Sequence, residues 1–179
     1  MNDEALIGRC LSGDIEAFEG LVAAYQKPVY NLALRATGNA EDAMDVAQEA
    51  FLKAFRSLPT FRRGSPFKPW LLTVAANTAT DFLRRRRPAA TGEFEEMDPP
   101  DASPGPEEIA EKGERSRCLK DAIMGLAPGY RIVVELFHIQ GFSLGEVSEI
   151  TGLNVTTVKN RLFRARRMLR EKLAGRGLS

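Results

Sequence analysis

Residues 143–172 read as two short helices around a tight turn, and the second helix is rich in cations. Ser143 precedes the first helix and Glu146 follows three residues later, which is a capping-box pattern. Gly152 stands where the chain needs a left-handed turn residue, and Asn154 is a favourable N-cap for the second helix. This order of elements predicts a helix-turn-helix, whose second helix fits the major groove of B-DNA.

Charge is distributed unevenly along the chain. Residues 154–179 carry eight Lys and Arg against one acid, and residues 61–87 carry seven against one. The whole chain has a net charge of only +1, because acids dominate the remainder. A solvated amphipathic helix is the alternative interpretation of residues 154–172, but surfaces that serve solubility usually mix both signs. Two separate cationic segments favour two contacts with one long polyanion.

Helical spacing of apolar residues recurs through most of the chain, and the alternating pattern of strands is missing. We predict an all-α fold of two small helical domains, residues 1–87 and residues 107–179. Residues 88–106 contain five prolines and five acids, which predicts a flexible acidic linker. Fully extended, such a linker reaches about 60–68 Å.

Start and stop signals predict the individual helices. The first domain should contain four, near Asp3–Leu11, from Asp14 with a kink at Pro28, from Asn39 to Leu58, and from Phe67 to Arg87. The second domain should contain a helix over residues 107–126 and, after a break at Pro128 and Gly129, an apolar helix over residues 130–139. The two helices of the helix-turn-helix follow, with Val155, Val158, Leu162 and Leu169 on the apolar face of the second.

The composition disfavours several functional classes. No run approaches the roughly 18–20 apolar residues of a membrane span, and Cys10 and Cys118 match no metal-ligand spacing. Glycine-rich phosphate loops and nucleophile elbows are missing, and a structural role is the expectation for His138, the one histidine. We therefore expect a cytoplasmic protein that is not an enzyme, without catalytic residues, metal, cofactor or membrane insertion.

The first cationic segment also holds the only tryptophan of the chain. Trp70 stands beside a basic loop at the start of a helix, so it suits either the core or a stacking platform for an unpaired base. Phe82 fits the core better. Arg84 to Arg87 suit either a solvated helix end, which the helix dipole favours, or contacts with phosphates.

Two long runs resemble the extracytoplasmic-function (ECF, group 4) sigma factors of bacterial RNA polymerase, in the sigma-70 family. Residues 25–87, YQKPVYNLAL through FLRRRR, resemble conserved region 2, and residues 126–173, LAPGYRIVVELF through LREKL, resemble region 4. The resemblance implies a transcription initiation factor that brings core RNA polymerase to promoters. It also implies control by an anti-sigma factor.

The resemblance further implies which residues contact promoter DNA. The second helix of the helix-turn-helix would read the double-stranded −35 element through Thr156, Lys159, Asn160, Arg161, Phe163 and Arg164. Arg and Lys pair with guanine and Asn with adenine, whereas Phe163 also suits the core. The loop over residues 60–66 and the following helix would melt and read the single-stranded −10 element through Arg62, Arg63, Lys68, Trp70, Asn77 and Arg84.

Contacts with the polymerase follow from the same resemblance. The segment from Asp45 to Phe51 would dock on the coiled coil of the β′ clamp, with Asp45, Gln48 and Glu49 as its polar contacts. Residues 126–137 would help to anchor the flap of the β subunit. An ordinary two-domain transcriptional regulator is the alternative, although such proteins usually dimerise on palindromes, and no segment reads as a dedicated dimerisation element.

Overall fold

The computed structural model describes residues 3–86 and 111–174, with side chains from residue 117 onward in the second range. These ranges form eight α-helices and no strand, which confirms the all-α prediction. The helices are α1 Asp3–Leu11, α2 Glu16–Thr37, α3 Ala40–Ser57, α4 Phe67–Arg86, α5 Glu111–Met124, α6 Pro128–Val134, α7 Leu144–Thr151 and α8 Val155–Ala174. A 3₁₀ turn, Leu58–Thr60, continues α3, and a π-helical turn, Glu135–Ile139, continues α6. The predicted linker, Arg87 and residues 107–110 lie outside the described residues.

The first domain is a bundle of α2, α3 and α4, with α1 packed on α2. Small residues on the inner face of α3 let it approach its neighbours closely: Ala43, Val46, Ala50 and Ala54 are all buried. Their spacing of three and four residues keeps them on one side of the helix. The opposite side of α3 is therefore left to solvent or to a partner.

Side-chain caps fix three helix starts where the sequence predicts them. The Asn39 side-chain oxygen accepts the N–H groups of Glu41 at 2.8 Å and Asp42 at 3.1 Å. Ser143 and Glu146 form the complete capping box, and Asn154 accepts the N–H of Thr157 at 2.7 Å. Each bond satisfies backbone donors that the first turn of a helix leaves unpaired.

Two local predictions are wrong. The predicted break between the two helices lies at residues 125–127 and not at Pro128 and Gly129, because Pro128 begins α6. Proline is well suited to a first helical turn, where its missing N–H has no partner to lose. Val155 does not share the buried face of α8, and it is exposed beside the turn. At Pro28 the sequence predicts a kink and not an end, and α2 does continue through this residue to Thr37.

The second domain is built around α6, in which every residue after Pro128 is buried. It contacts α8 on one side and α2 of the first domain on the other, and α7 contacts α4. The described helices of the two predicted domains therefore pack directly against each other.

Replacing Asn39 with Ala should destabilise the protein by about 1 kcal/mol, because two N–H groups at the start of α3 lose their acceptor. Urea denaturation followed by circular dichroism measures this difference. Asn39→Asp is the matched control, because a carboxylate caps equally well. Equal stability of the Ala and Asp variants would contradict the capping role.

Candidate nucleic-acid interface

Helices α7 and α8 form the predicted helix-turn-helix around Gly152, whose φ is 71°. Val147 and Ile150 of α7 are buried, as are Val158, Leu162 and Ala165 of α8. The Ser148 hydroxyl donates to the Leu153 carbonyl at 2.5 Å and so ties α7 to the turn. The buried apolar residues shared by α7 and α8 fix which side of α8 faces outward.

The outward side of α8 carries most of the residues predicted to contact the −35 element. Five of the six are exposed and lie at helical spacing on one face, namely Thr156, Lys159, Asn160, Phe163 and Arg164. Phe163 is 70% exposed, which excludes the alternative that it belongs to the core. Arg161 is half-buried and lies off this face. An exposed aromatic ring among cations and an amide suits contact with both bases and phosphates.

A second polar surface surrounds the loop between α3 and α4. Arg62 and Arg63 are exposed there, and the left-handed Gly64, with φ 80°, turns the chain. The loop and α1 enclose an open cleft of about 350 Å³, lined by Asp3, Glu4, Ile7, Phe61, Arg63, Gly64, Ser65, Pro66 and Phe67. Asn77 is exposed farther along α4.

Trp70 belongs to an aromatic cluster at the start of α4. Its ring lies 5.2 Å from that of Phe61 and 5.5 Å from that of Phe67, between centroids. Tyr25 of α2 continues the cluster beside Phe67, and its hydroxyl donates to Asp3 of α1. Burial and the adjacent Asp3 raise the pKa of Tyr25 to about 12. Trp70 is half-buried, so packing and partial exposure occur together at this residue.

The arginines at the end of α4 are paired with acids of the first domain. Arg84 lies 2.9 Å from Asp81, Arg85 lies 3.3 Å from Glu49, and Arg86 pairs with Asp42. The sequence is compatible with either a solvated tract or a phosphate-binding one, and it contains no signal for the pairing. The pairs of Arg84 and Arg85 are exposed and therefore weak, so a phosphate can displace the carboxylate from these two arginines.

The exposed face of α3 combines acids with apolar side chains. Asp45 and Gln48 are exposed, whereas Glu49 is half-buried and bonded to Lys53 at 3.1 Å. That bond, with the nearby Arg85, holds the pKa of Glu49 below its usual value. Large apolar residues on this helix are also exposed: Met44 at 65%, Leu52 at 51% and Phe55 at 36%.

The apolar part of this exposed face was not predicted from the sequence. Residues 44, 48, 52 and 55 recur at helical spacing, and this spacing is the signal in the sequence that could have revealed the exposed face. An exposed apolar stripe beside carboxylates is typical of a protein-binding surface.

His138 has a structural partner, as expected. Its Nε2 accepts a hydrogen bond from the Arg166 guanidinium at 3.3 Å. Burial and this cation lower the pKa of His138. No group of His, Cys, Asp and Glu in the described part of the chain is arranged to hold a metal ion, and none of the described helices is both long and apolar enough to cross a membrane.

Comparison with known proteins matches both halves of the chain. The family models for Sigma-70 region 2 and Sigma-70 region 4 match residues 21–89 and 116–169. The chain is 35% identical to the ECF RNA polymerase sigma-E factor of Haemophilus influenzae, over 97% of this chain and 96% of that protein. It is 34% identical to the ECF RNA polymerase sigma factor SigW of Bacillus subtilis, over 90% of this chain and 91% of that protein.

Solved structures show the same similarity. The fold matches CnrH, solved in complex with the cytosolic domain of CnrY, with a TM-score of 0.67, 29% identity and 97% of each chain covered. It also matches the sigma factor RpoE of Bartonella quintana, solved with the anti-sigma factor NepR, with a TM-score of 0.68 over 89% of this chain and 98% of that one. At 24% identity the second likeness concerns the fold alone.

Replacing Lys159 with Gln should weaken binding to duplex DNA and reduce the slope of log K against log salt by about 1, because one phosphate contact is lost. Fluorescence anisotropy with the full chain at several salt concentrations measures this slope. Arg167→Gln is the matched control, because Arg167 lies on the same helix but is paired with Glu171 at 3.0 Å. Equal slopes for wild type and Lys159→Gln would place the DNA on another face.

Proposed function

The chain belongs to the extracytoplasmic-function group of the sigma-70 family, and we propose that it directs core RNA polymerase to promoters by reading their −10 and −35 elements. The observation that carries this proposal is the pair of exposed polar surfaces on α4 and α8, one in each sigma region. The protein supplies no catalytic group of its own and acts in the cytoplasm, where the polymerase is. Its chemistry is recognition and the stabilisation of melted DNA.

The outward face of α8 reads the −35 element in the major groove. Asn160 presents both a donor and an acceptor, which match the edge of adenine. Lys159 and Arg164 pair with guanine or phosphate. Phe163 contacts thymine methyl groups. Contact with the edge of a base explains why this apolar ring is exposed in the free protein.

The loop over residues 60–66 and α4 hold the single-stranded −10 element. Arg62 and Arg63 contact the backbone, and the cleft beside them is large enough for an unstacked base. Asn77 offers an amide to base edges. Extruding a base costs a few kcal/mol, which contacts in such a cleft offset. Trp70 supports this surface mainly by packing.

The α3 face binds the β′ clamp. Met44, Leu52 and Phe55 supply the apolar contact, while Asp45 and Gln48 supply its polar rim. Glu49 contributes less directly, because it is bonded to Lys53 and Arg85. Most of residues 126–137 are buried, so few of them are available for the predicted contact with the β flap. The exposed apolar residues Leu119, Ile139 and Met168 of the same domain suit this contact better.

Control by an anti-sigma factor is part of the proposal. The solved structures of CnrH and of the Bartonella quintana RpoE are complexes with the cytosolic domain of CnrY and with NepR. A partner of this kind would bind the same exposed faces that the polymerase requires and so compete with it.

Leu52→Glu should reduce binding to core polymerase by at least tenfold, because it places a charge in the apolar stripe of α3. Co-elution with core polymerase and transcription in vitro from a promoter library both measure the effect. Glu149→Gln, on an exposed site of α7, is the control. If the wild-type protein supports transcription from no promoter and binds a palindrome tightly without polymerase, the two-domain regulator is favoured instead.

Asn77→Ala should weaken binding of a single-stranded −10 oligonucleotide by about tenfold, a loss typical of one base-edge contact. The oligonucleotide should also change the fluorescence of Trp70, the only tryptophan. Gln26→Ala, an exposed amide on α2, is the control. An unchanged affinity for Asn77→Ala would remove this residue from the site.

A further inference from the structure

The cleft between α1 and the loop over residues 60–66 has two walls of opposite character. Asp3 and Glu4 of α1 form one wall, and Arg63 and Ser65 of the loop lie on the other. An ionised carboxylate only accepts hydrogen bonds, whereas a guanidinium only donates them. A ligand in this cleft must therefore present donors on the α1 side and acceptors on the loop side.

The carboxylate of Asp3 is held in place by a residue of α2. Asp3 is half-buried, and the hydroxyl of Tyr25 donates a hydrogen bond to its Oδ2. Burial and the adjacent Asp3 raise the pKa of Tyr25 to about 12, so the hydroxyl keeps its proton at neutral pH and remains a donor. A carboxylate has two oxygens and about four acceptor positions. Asp3 can therefore accept a further hydrogen bond from a ligand while Tyr25 holds it.

The inner part of the same cleft is apolar. Ile7, Phe61 and Phe67 line it, and all three are buried. The rings of Phe61 and Phe67 lie 5.5 Å apart between centroids, with an interplanar angle of 85°. A nucleobase has apolar faces and a polar edge, so it matches an apolar floor between two polar walls.

The charge of the α1 wall decides which part of a nucleic acid can enter. A phosphate is an anion that offers only acceptors, so the carboxylates of Asp3 and Glu4 repel it. The edge of a base does offer donors, and the exocyclic amino groups of cytosine, adenine and guanine are among them. Thymine presents a single ring N–H between two carbonyl oxygens, which a carboxylate also repels. The acidic wall thus favours a base with an amino group.

We propose that Asp3 makes this cleft selective for a base with an exocyclic amino group, so that cytosine, adenine or guanine is held there in preference to thymine. Asp3 accepts the amino group, Tyr25 is a positioning residue that orients Asp3, and Arg63 donates to an acceptor of the same base. Both Asp3 and Tyr25 act from outside the loop. The inference rests on the proposed function, because it takes the single-stranded −10 element as the ligand.

The test uses two short thymidine oligonucleotides that differ at one central position, which is dC in one and dU in the other. Cytosine carries an amino group where uracil carries a carbonyl oxygen, and the two strands have the same number of phosphates. Fluorescence anisotropy measures both affinities for the full chain, alone and assembled with core polymerase. The ratio of the two affinities reports selection of the base and cancels the general attraction of the chain for DNA.

Wild-type protein should bind the dC strand about tenfold more tightly than the dU strand, a ratio typical of one specific base contact. Asp3→Asn should lower this ratio to about two or less, because an amide can donate as well as accept. Tyr25→Phe should lower it to about three, because the ring stays but the hydroxyl that holds Asp3 is lost. Glu19→Gln is the matched control, since it removes an exposed acid of α2 that does not line the cleft.

Circular dichroism confirms that each variant is folded, and Tyr25→Phe serves if Asp3→Asn is not. Equal wild-type affinities for the two strands, or a ratio that folded Asp3→Asn leaves unchanged, overturn the inference and leave the proposed function intact. An unchanged ratio in Tyr25→Phe overturns the positioning role of Tyr25. If neither strand binds even with core polymerase present, the proposed −10 site fails, and the inference fails with it.

Discussion

Short helices are stable in water only when one face is buried, and this constraint decides which faces of α3 and α8 are exposed. In α8 the burial of Val158, Leu162 and Ala165 directs Lys159 and Phe163 outward. In α3 the buried alanines likewise leave Leu52 on the outside. The same residues that hold each domain together thus decide which side chains a partner can reach.

The charged surface at the end of α4 differs from the exposed apolar surfaces, because its side chains are paired with each other. The arginines at the end of α4 are held by Asp81, Glu49 and Asp42. A phosphate that reached this surface would therefore exchange with a carboxylate and would not meet an isolated cation. The pairs of Arg84 and Arg85 are exposed and therefore weak, so such an exchange would require little energy.

Helix starts and the helix-turn-helix were predictable because their signals are local. Asn39, Ser143 and Asn154 each act within three residues along the chain. The exposed position of Phe163 was left open by the sequence, because an aromatic residue in a helix usually belongs to the core.

Contacts between distant residues could not be predicted in this way. Arg35 and Glu135 are separated by 100 positions, and neither has a neighbour in sequence that marks it as one half of a pair. A single sequence therefore indicates which helices form and which faces are apolar. It does not indicate that two such groups of helices close on each other.

The π-helical turn Glu135–Ile139 sets how the segment after α6 is oriented toward the first domain. A π turn holds one residue more than an α-helical turn, and here the N–H of Gln140 reaches back to the carbonyl of Glu135 at 2.9 Å. Deleting one residue would rotate everything after it by about 100° relative to α6. Gln140 and Phe142 would then leave the first domain while α7 and α8 kept their own contacts. Because α6 itself contacts both α2 and α8, such a deletion would disturb the packing inside the second domain as well as its contact with the first.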